Sequence, residues 1–212
     1  MRADDTLGVV LAGGLARRMG GGDKPLRPLA EGLTMLDAVL ARLAPQVAAA
    51  AINANGDPAR FARWGLPVVP DDLPGHPGPL AGVLAALDWA AAHRPDLPLV
   101  ATVPGDSPLV PGDLVARLRA AREAAGVPLA CAASGGRTHP PVALWEVRLR
   151  GDLRAALLAG ERKIDRWTAR HGCAVAEWPV DGPTADPFFN ANTPEELAKA
   201  GVLLLARGGA AP

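Results

Sequence analysis

Over about the first 130 residues, short apolar runs alternate with segments of helical periodicity. That alternation restricts the chain to an open, mostly parallel sheet with helices on both faces, a doubly wound α/β fold. The opening run, Thr-Leu-Gly-Val-Val-Leu at residues 6–11, is apolar on both faces, as a buried parallel strand must be. Further strands are expected at 47–52, 67–69, 97–103, 127–133, 141–145 and 174–179, and helices at 80–93, 113–125, 152–159 and 164–171. A short helix is expected over 58–64. Thr34 with Asp37 three residues on reads as a capping box that opens a helix reaching Leu43. The last helix follows Asn192-Thr193-Pro194, with an asparagine as one possible N-cap and proline in the first turn. No repeat or linker divides the chain, so a single domain over 1–206 is expected, with a frayed tail at 207–212.

Composition narrows the function. Hydrophobic residues make up 49% of the chain, enough for a core, and the 22 basic and 22 acidic side chains cancel. A duplex nucleic-acid binder needs a basic excess to displace counterions, so that class is excluded. No apolar run is long enough to span a bilayer, and no export signal is readable, which points to a cytoplasmic protein. Cys131 and Cys173 lie far apart and fit neither metal-ligand nor disulfide-framework spacing; both are read as inert.

Open parallel sheets bind ligands beyond the carboxyl ends of their strands, and every unusual loop here follows a strand. The segment from Leu11, Ala12 and Gly13 to Lys24-Pro25 is rich in glycine and carries Arg17, Arg18 and Lys24. Its main chain can approach a ligand closely, and its cations suit phosphates. Pro25 after Lys24 excludes a Walker A loop, and the late helix start excludes a dinucleotide fingerprint. Only Lys24, Lys163 and Lys199 are lysines among the 22 basic residues, so Lys24 stands out as a compact point charge. Asp106 follows a hydrophobic strand and suits Mg²⁺, a hard ion that prefers oxygen ligands; a turn or capping role is the plainer alternative. Asp71 and Asn53 also end strands, and Asn190 and Asn192 alternate so that both amides face one side. His139 before two prolines reads as a satisfied structural imidazole or a ligand contact.

Taken in order, Leu-Ala-Gly-Gly-x-x-x-Arg-Met-Gly with Asp23-Lys24, Pro77 to Gly82, Asp106-Ser107-Pro108, His139-Pro140 and Phe-x-Asn-x-Asn-Thr-Pro-Glu-Glu-Leu resemble the molybdenum cofactor guanylyltransferases over residues 7–197. That family, on a nucleotide-diphospho-sugar transferase-like fold, joins GTP to molybdopterin phosphate and releases pyrophosphate. The resemblance implies that Leu11, Ala12, Gly13, Lys24, Asn53, Asp71 and Asp106 bind GTP. It also implies that Asp106 holds Mg²⁺, and that Lys24, Asp106 and Arg18 serve the chemistry. Gly78, Asn190 and Asn192 fall on the pterin side, giving a nucleotide-binding half over about 6–130 and a pterin-binding half over about 131–206. GTP, molybdopterin, and proteins of molybdopterin synthesis and molybdoenzyme maturation are the implied partners, around a monomer or weak oligomer. Family members often have a residue other than glycine before the metal aspartate, so Gly105 is expected to loosen that loop. A cytidylyltransferase, a sugar-1-phosphate nucleotidyltransferase and a non-catalytic nucleotide or pterin carrier are the alternatives.

Overall fold

The computed structural model describes residues 5–13, 23–30, 32–73, 78–180 and 186–206. Arg17 and Arg18 lie outside the described residues.

Among the described residues seven strands form one sheet: β1 (Thr6–Leu11), β4 (Ala49–Asn53), β5 (Val68–Val69), β6 (Leu99–Pro104), β7 (Leu129–Ser134), β8 (Arg137–Glu146) and β9 (Cys173–Trp178). Across the sheet they run in the order β5-β4-β1-β6-β8-β7-β9. Only β8 runs against the others, pairing antiparallel with both β6 and β7. β7 and β9 close the sheet in parallel. β2 (Pro28–Ala30) and β3 (Leu33–Thr34) form a separate antiparallel ribbon that the hydrophobic pattern did not announce, because three- and two-residue strands have no period to read.

Helices α1 (Met35–Leu43) and α3 (Leu114–Ala125) cover one face of the sheet. There Leu36, Val39, Leu43, Leu114 and Leu118 pack with Val10, Ile52 and Leu144. On the other face α2 (Pro79–His93), α4 (Arg150–Leu158) and α5 (Ile164–His171) bury Leu84, Leu87, Leu153 and Trp167 against Leu7, Val9 and Trp145. Neighbours Val9 and Val10 thus point to opposite faces and both are fully buried, which is why β1 is apolar from Leu7 onward. The expected short helix at Pro58–Trp64 is a 3-10 helix. No helix among the described residues is long and apolar enough to cross a membrane.

The capping box forms as expected. Thr34 Oγ1 accepts from Asp37 N–H, and an Asp37 carboxylate oxygen accepts from Thr34 N–H at 2.7 Å. Burial alone would raise the Asp37 pKa; the bonds from Thr34 and Trp64, with the charge of Arg63, hold it below the usual carboxylate value. The last helix, α6 (Pro194–Ala206), differs from expectation: its cap is Thr193, whose Oγ1 accepts from Glu196 N–H, while Glu196 Oε2 accepts from the Asn192 and Thr193 amides. Neither asparagine caps it, and both side chains are left for other work. The two cysteines are also nearer than their spacing suggests. Leu129 pairs with Cys173 and Cys131 with Val175, so both thiols lie on one face of neighbouring strands. A hydrogen bond with Cys131, and then burial, pushes the Cys173 thiol up.

Candidate active site

Beyond the carboxyl ends of β1, β4, β5 and β6 opens a cleft of about 750 Å³. Leu11, Ala12, Gly13, Lys24, Asn53, Asp71, Gly78, Asp106 and Asn190 line it, together with Asn55, Arg60 and Asp23. The strand-end loops thus converge, as parallel strand polarity requires.

At its centre the Lys24 ammonium pairs with Asp106 Oδ2 and donates a 2.7 Å hydrogen bond to Asn192 Oδ1. The Lys24 and Asp106 side chains are 11% and 21% exposed, so solvent screens this contact little. Lys24 opens a 3-10 turn over Lys24–Leu26 in which Pro25 presets the backbone angle. Asp106 follows β6, where Gly105 N–H donates to Leu11 O at 3.0 Å and lashes the two loops together. From the other direction Ala191 N–H donates to Asp106 O, and buried Ser107 Oγ donates to Asn190 Oδ1 at 2.6 Å. Asn190 therefore addresses the Asp106 loop, and Asn192 the Lys24 ammonium paired with it.

Gly105 does not loosen this loop. A Cβ there would stand 2.7 Å from Pro25 Cγ and 3.4 Å from Leu11 O, so glycine is what lets β6 approach the lysine turn. Gly105→Ala is expected to push Pro25, and Lys24 with it, away from Asp106. The cost is about 1–3 kcal/mol of stability from overpacking, with turnover falling in parallel; a denaturant melt and an initial-rate assay on the same preparation check this.

On the β4–β5 side, Asn53 donates to Val69 O at 3.0 Å and to Asp71 Oδ1 at 2.9 Å. Asn55 Nδ2 donates to Asp71 Oδ2 at 2.9 Å while its Oδ1 accepts from Asp71 N–H at 2.8 Å. Gly82 of α2 lies under Asn53, and a Cβ there would collide with Asn53 Oδ1. Arg60 pairs with Asp23 and donates to the carbonyls of Asn55 and Asp57, so it ties the lysine turn to the end of β4. Asn55 and Arg60 escaped the sequence reading, and Ser107 entered it only as part of the Asp106-Ser107-Pro108 motif, without a role of its own. Asn53-Ala54-Asn55 has the same alternation as Asn190-Ala191-Asn192, and that signal was available for Asn55.

His139 serves structure. Its Nε2 meets Ser134 Oγ at 2.7 Å, and Ser134 donates to Asp186 Oδ1, which also accepts from Phe188 N–H. Burial holds the imidazole below its usual pKa, against the opposing charge of Asp186. This knot anchors the segment that carries Asn190 and Asn192.

Residues 8–175 match the family model described as a MobA-like NTP transferase domain. A Rhodopseudomonas palustris (strain BisB5) protein named molybdenum cofactor guanylyltransferase is 60% identical over 196 residues, 92% of each chain. Molybdopterin-guanine dinucleotide biosynthesis protein A from Archaeoglobus fulgidus shares the fold, with a TM-score of 0.72 at 24% identity, over 95% of this chain and 99% of that one. So does a Mycobacterium tuberculosis protein solved in complex with manganese, with a TM-score of 0.63 at 19% identity, over 92% of this chain and 97% of that one. With a nucleotide-sized cleft at the carboxyl edge of its sheet and relatives of this likeness along nearly its whole length, the chain belongs to the MobA-like NTP transferase family and is a nucleotidyltransferase related to the molybdenum cofactor guanylyltransferases.

Proposed function

We propose that the chain transfers GMP from GTP to the terminal phosphate of molybdopterin, giving the guanine dinucleotide of the cofactor and pyrophosphate. The observation that carries this reading is the meeting of the Lys24 ammonium, the Asp106 carboxylate and the Asn192 amide oxygen at one point of the cleft.

The nucleophile needs no help from Ser, Cys or His, since an oxygen of the molybdopterin phosphate already carries negative charge. That oxygen bonds to the α-phosphorus of GTP while the bond from the α-phosphorus to the bridging oxygen breaks, and the electron pair leaves on pyrophosphate. The protein's task is to hold two polyanions in line and to offset the charge growing on the leaving group. Lys24 supplies a fixed positive charge for this. The main chain of Leu11 to Gly13 gives the nucleotide a close backbone wall, and Arg18 belongs to the loop between that wall and Lys24. Gly78, Asn190 and Asn192 border the acceptor side, and the halves at about 6–130 and 131–206 divide nucleotide from pterin.

Three carboxylates and two cations line the cleft among the described residues. Those five groups do not by themselves neutralise a triphosphate, and a divalent cation accompanying the nucleotide supplies positive charge at the phosphates. The donors fit one: Asp106 Oδ2 and Asn192 Oδ1 are hard oxygens that already converge on a positive group. Among the described residues no group of three or more His, Cys, Asp or Glu side chains is set to hold a metal alone, which suits an ion shared with substrate phosphates. Mg²⁺ bound there supplies charge neutralisation at the phosphates and the departing pyrophosphate. A cytoplasmic setting and delivery of the product to molybdoenzyme-maturation proteins complete the reading.

Mixing the purified protein with GTP, Mg²⁺ and molybdopterin is expected to release one pyrophosphate per dinucleotide formed, with CTP a poor substitute. Stoichiometric binding without pyrophosphate turns the assignment to a carrier, and a preference for CTP turns it to a cytidylyltransferase.

A further inference from the structure

Asp71 is an odd carboxylate for a cleft that receives a polyanion. Among the described residues it makes no ion pair, although its neighbour Asp72 is paired with Arg154. Its partners are neutral: Oδ1 accepts from Asn53, Oδ2 accepts from Asn55, and its own N–H is taken by Asn55 Oδ1. The reciprocal pair of bonds settles the Asn55 amide orientation, since the nitrogen must face the carboxylate when the oxygen faces the N–H. With both oxygens anchored, the carboxylate plane cannot rotate. Each oxygen accepts one bond in this way and retains a lone pair for another.

Position says what those lone pairs meet. Across the carboxyl edge the order is β5, β4, β1, β6, so Asp71 lies at one end and Asp106 with Lys24 at the other. Three strand spacings separate the ends, about 14 Å. With the phosphates at Lys24 and Asp106, an extended nucleotide places its base at Asp71. A fixed carboxylate there asks for two adjacent donors. Guanine has them in N1–H and its 2-amino group; hypoxanthine keeps only N1–H, and cytosine presents a single donor beside an acceptor.

We infer that Asn55 is the positioning residue for base selection: by clamping both the backbone and the carboxylate of Asp71, it presents two parallel acceptors to the donor edge of guanine. This rests on the nucleotidyl-transfer reading and adds the contact that chooses the base. The inosine nucleotide isolates it, because ITP differs from GTP only by the missing 2-amino group.

The test is equilibrium binding of the Mg²⁺ complexes of GTP and ITP, by calorimetry, to wild type, Asn55→Ala and Asp71→Asn, with circular dichroism confirming the fold. Wild type is expected to hold GTP about tenfold more tightly than ITP, the worth of one bond to a charged acceptor. In Asn55→Ala the ratio falls to within about twofold, chiefly through lost GTP affinity. A merely structural asparagine would weaken both nucleotides equally, and that result, or an unchanged ratio, overturns the inference. Should Asn55→Ala not fold, Asp71→Asn decides: turning one acceptor into a donor brings the ratio to one or below, and retention of the wild-type ratio overturns the inference. A wild-type protein that releases pyrophosphate from GTP yet holds GTP and ITP alike overturns this inference alone. One that binds neither nucleotide overturns the transfer reading with it.

Discussion

Asp106→Ala is expected to lower the rate of pyrophosphate release by about 10²–10³-fold, the scale on which removing one fixed electrostatic group slows a reaction that depends on positioning. The carboxylate has two partners to lose. Among the described residues it is the carboxylate that pairs with Lys24 at the convergence point, so the rate should also stop responding to Mg²⁺ concentration in the range that saturates wild type. It is also the counter-charge of Lys24, whose side chain is only 11% exposed, so among the described residues the variant keeps a poorly solvated ammonium with Asn192 as its remaining partner. A fall of a few degrees in the thermal midpoint should accompany the loss of rate, since an unpaired, partly buried charge is costly. Lys24→Ala separates the effects. It should also slow turnover about 100-fold, but it leaves Asp106 free to take a metal, and manganese binding followed by electron paramagnetic resonance should be retained there and weakened in Asp106→Ala. Wild-type rates with an unaltered Mg²⁺ response in purified Asp106→Ala remove Asp106 from the reaction.

Trp145→Ala is expected to destabilise the fold by about 3–5 kcal/mol, a large share of the roughly 5–15 kcal/mol available to a domain. The side chain is fully buried on β8, and its ring centroid lies 6.2 Å from that of Trp167. Its Nε1–H donates to Thr102 Oγ1 at 2.8 Å, and Thr102 in turn donates to Pro141 O at 2.8 Å. That relay crosses from β8 to β6, the strand that delivers Asp106, and ends at a residue lining the cleft. Trp145→Phe should retain much of the packing but leave Thr102 without its donor, costing roughly 1–2 kcal/mol. Guanidinium melts of the two variants check the order, and an alanine variant that melts with the wild type would show that the ring is not part of the core.

The fold was legible wherever periodicity had room to repeat. β1 is two-faced and apolar because α1 and α2 cover opposite sides of it, and α5 was read at its observed limits, Ile164–His171. The capping box at Thr34 and Asp37 was readable because both of its bonds are local. What escaped depends on long-range partners. No spacing rule joins Lys24 to Asn192, or Cys131 to Cys173, since only the order of the strands makes them neighbours. Gly105 was misjudged for the same reason: the void its missing side chain leaves is filled by Pro25, from a loop eighty residues away. No motif or spacing marks Arg60, and only its contacts with Asp23 and Asn55 bring it into the cleft.

The bond from Lys24 to Asn192 joins residues 168 positions apart. During synthesis, β1 and the Lys24 turn are made well before the asparagine that completes their arrangement. Until Asn192 has been made, Lys24 therefore lacks its amide partner, and the arrangement is completed only as the segment leading into α6 docks. Turnover should accordingly be more sensitive than overall folding to any change that weakens the seat of that helix, such as filling the contact between Gly201 and Leu29 O.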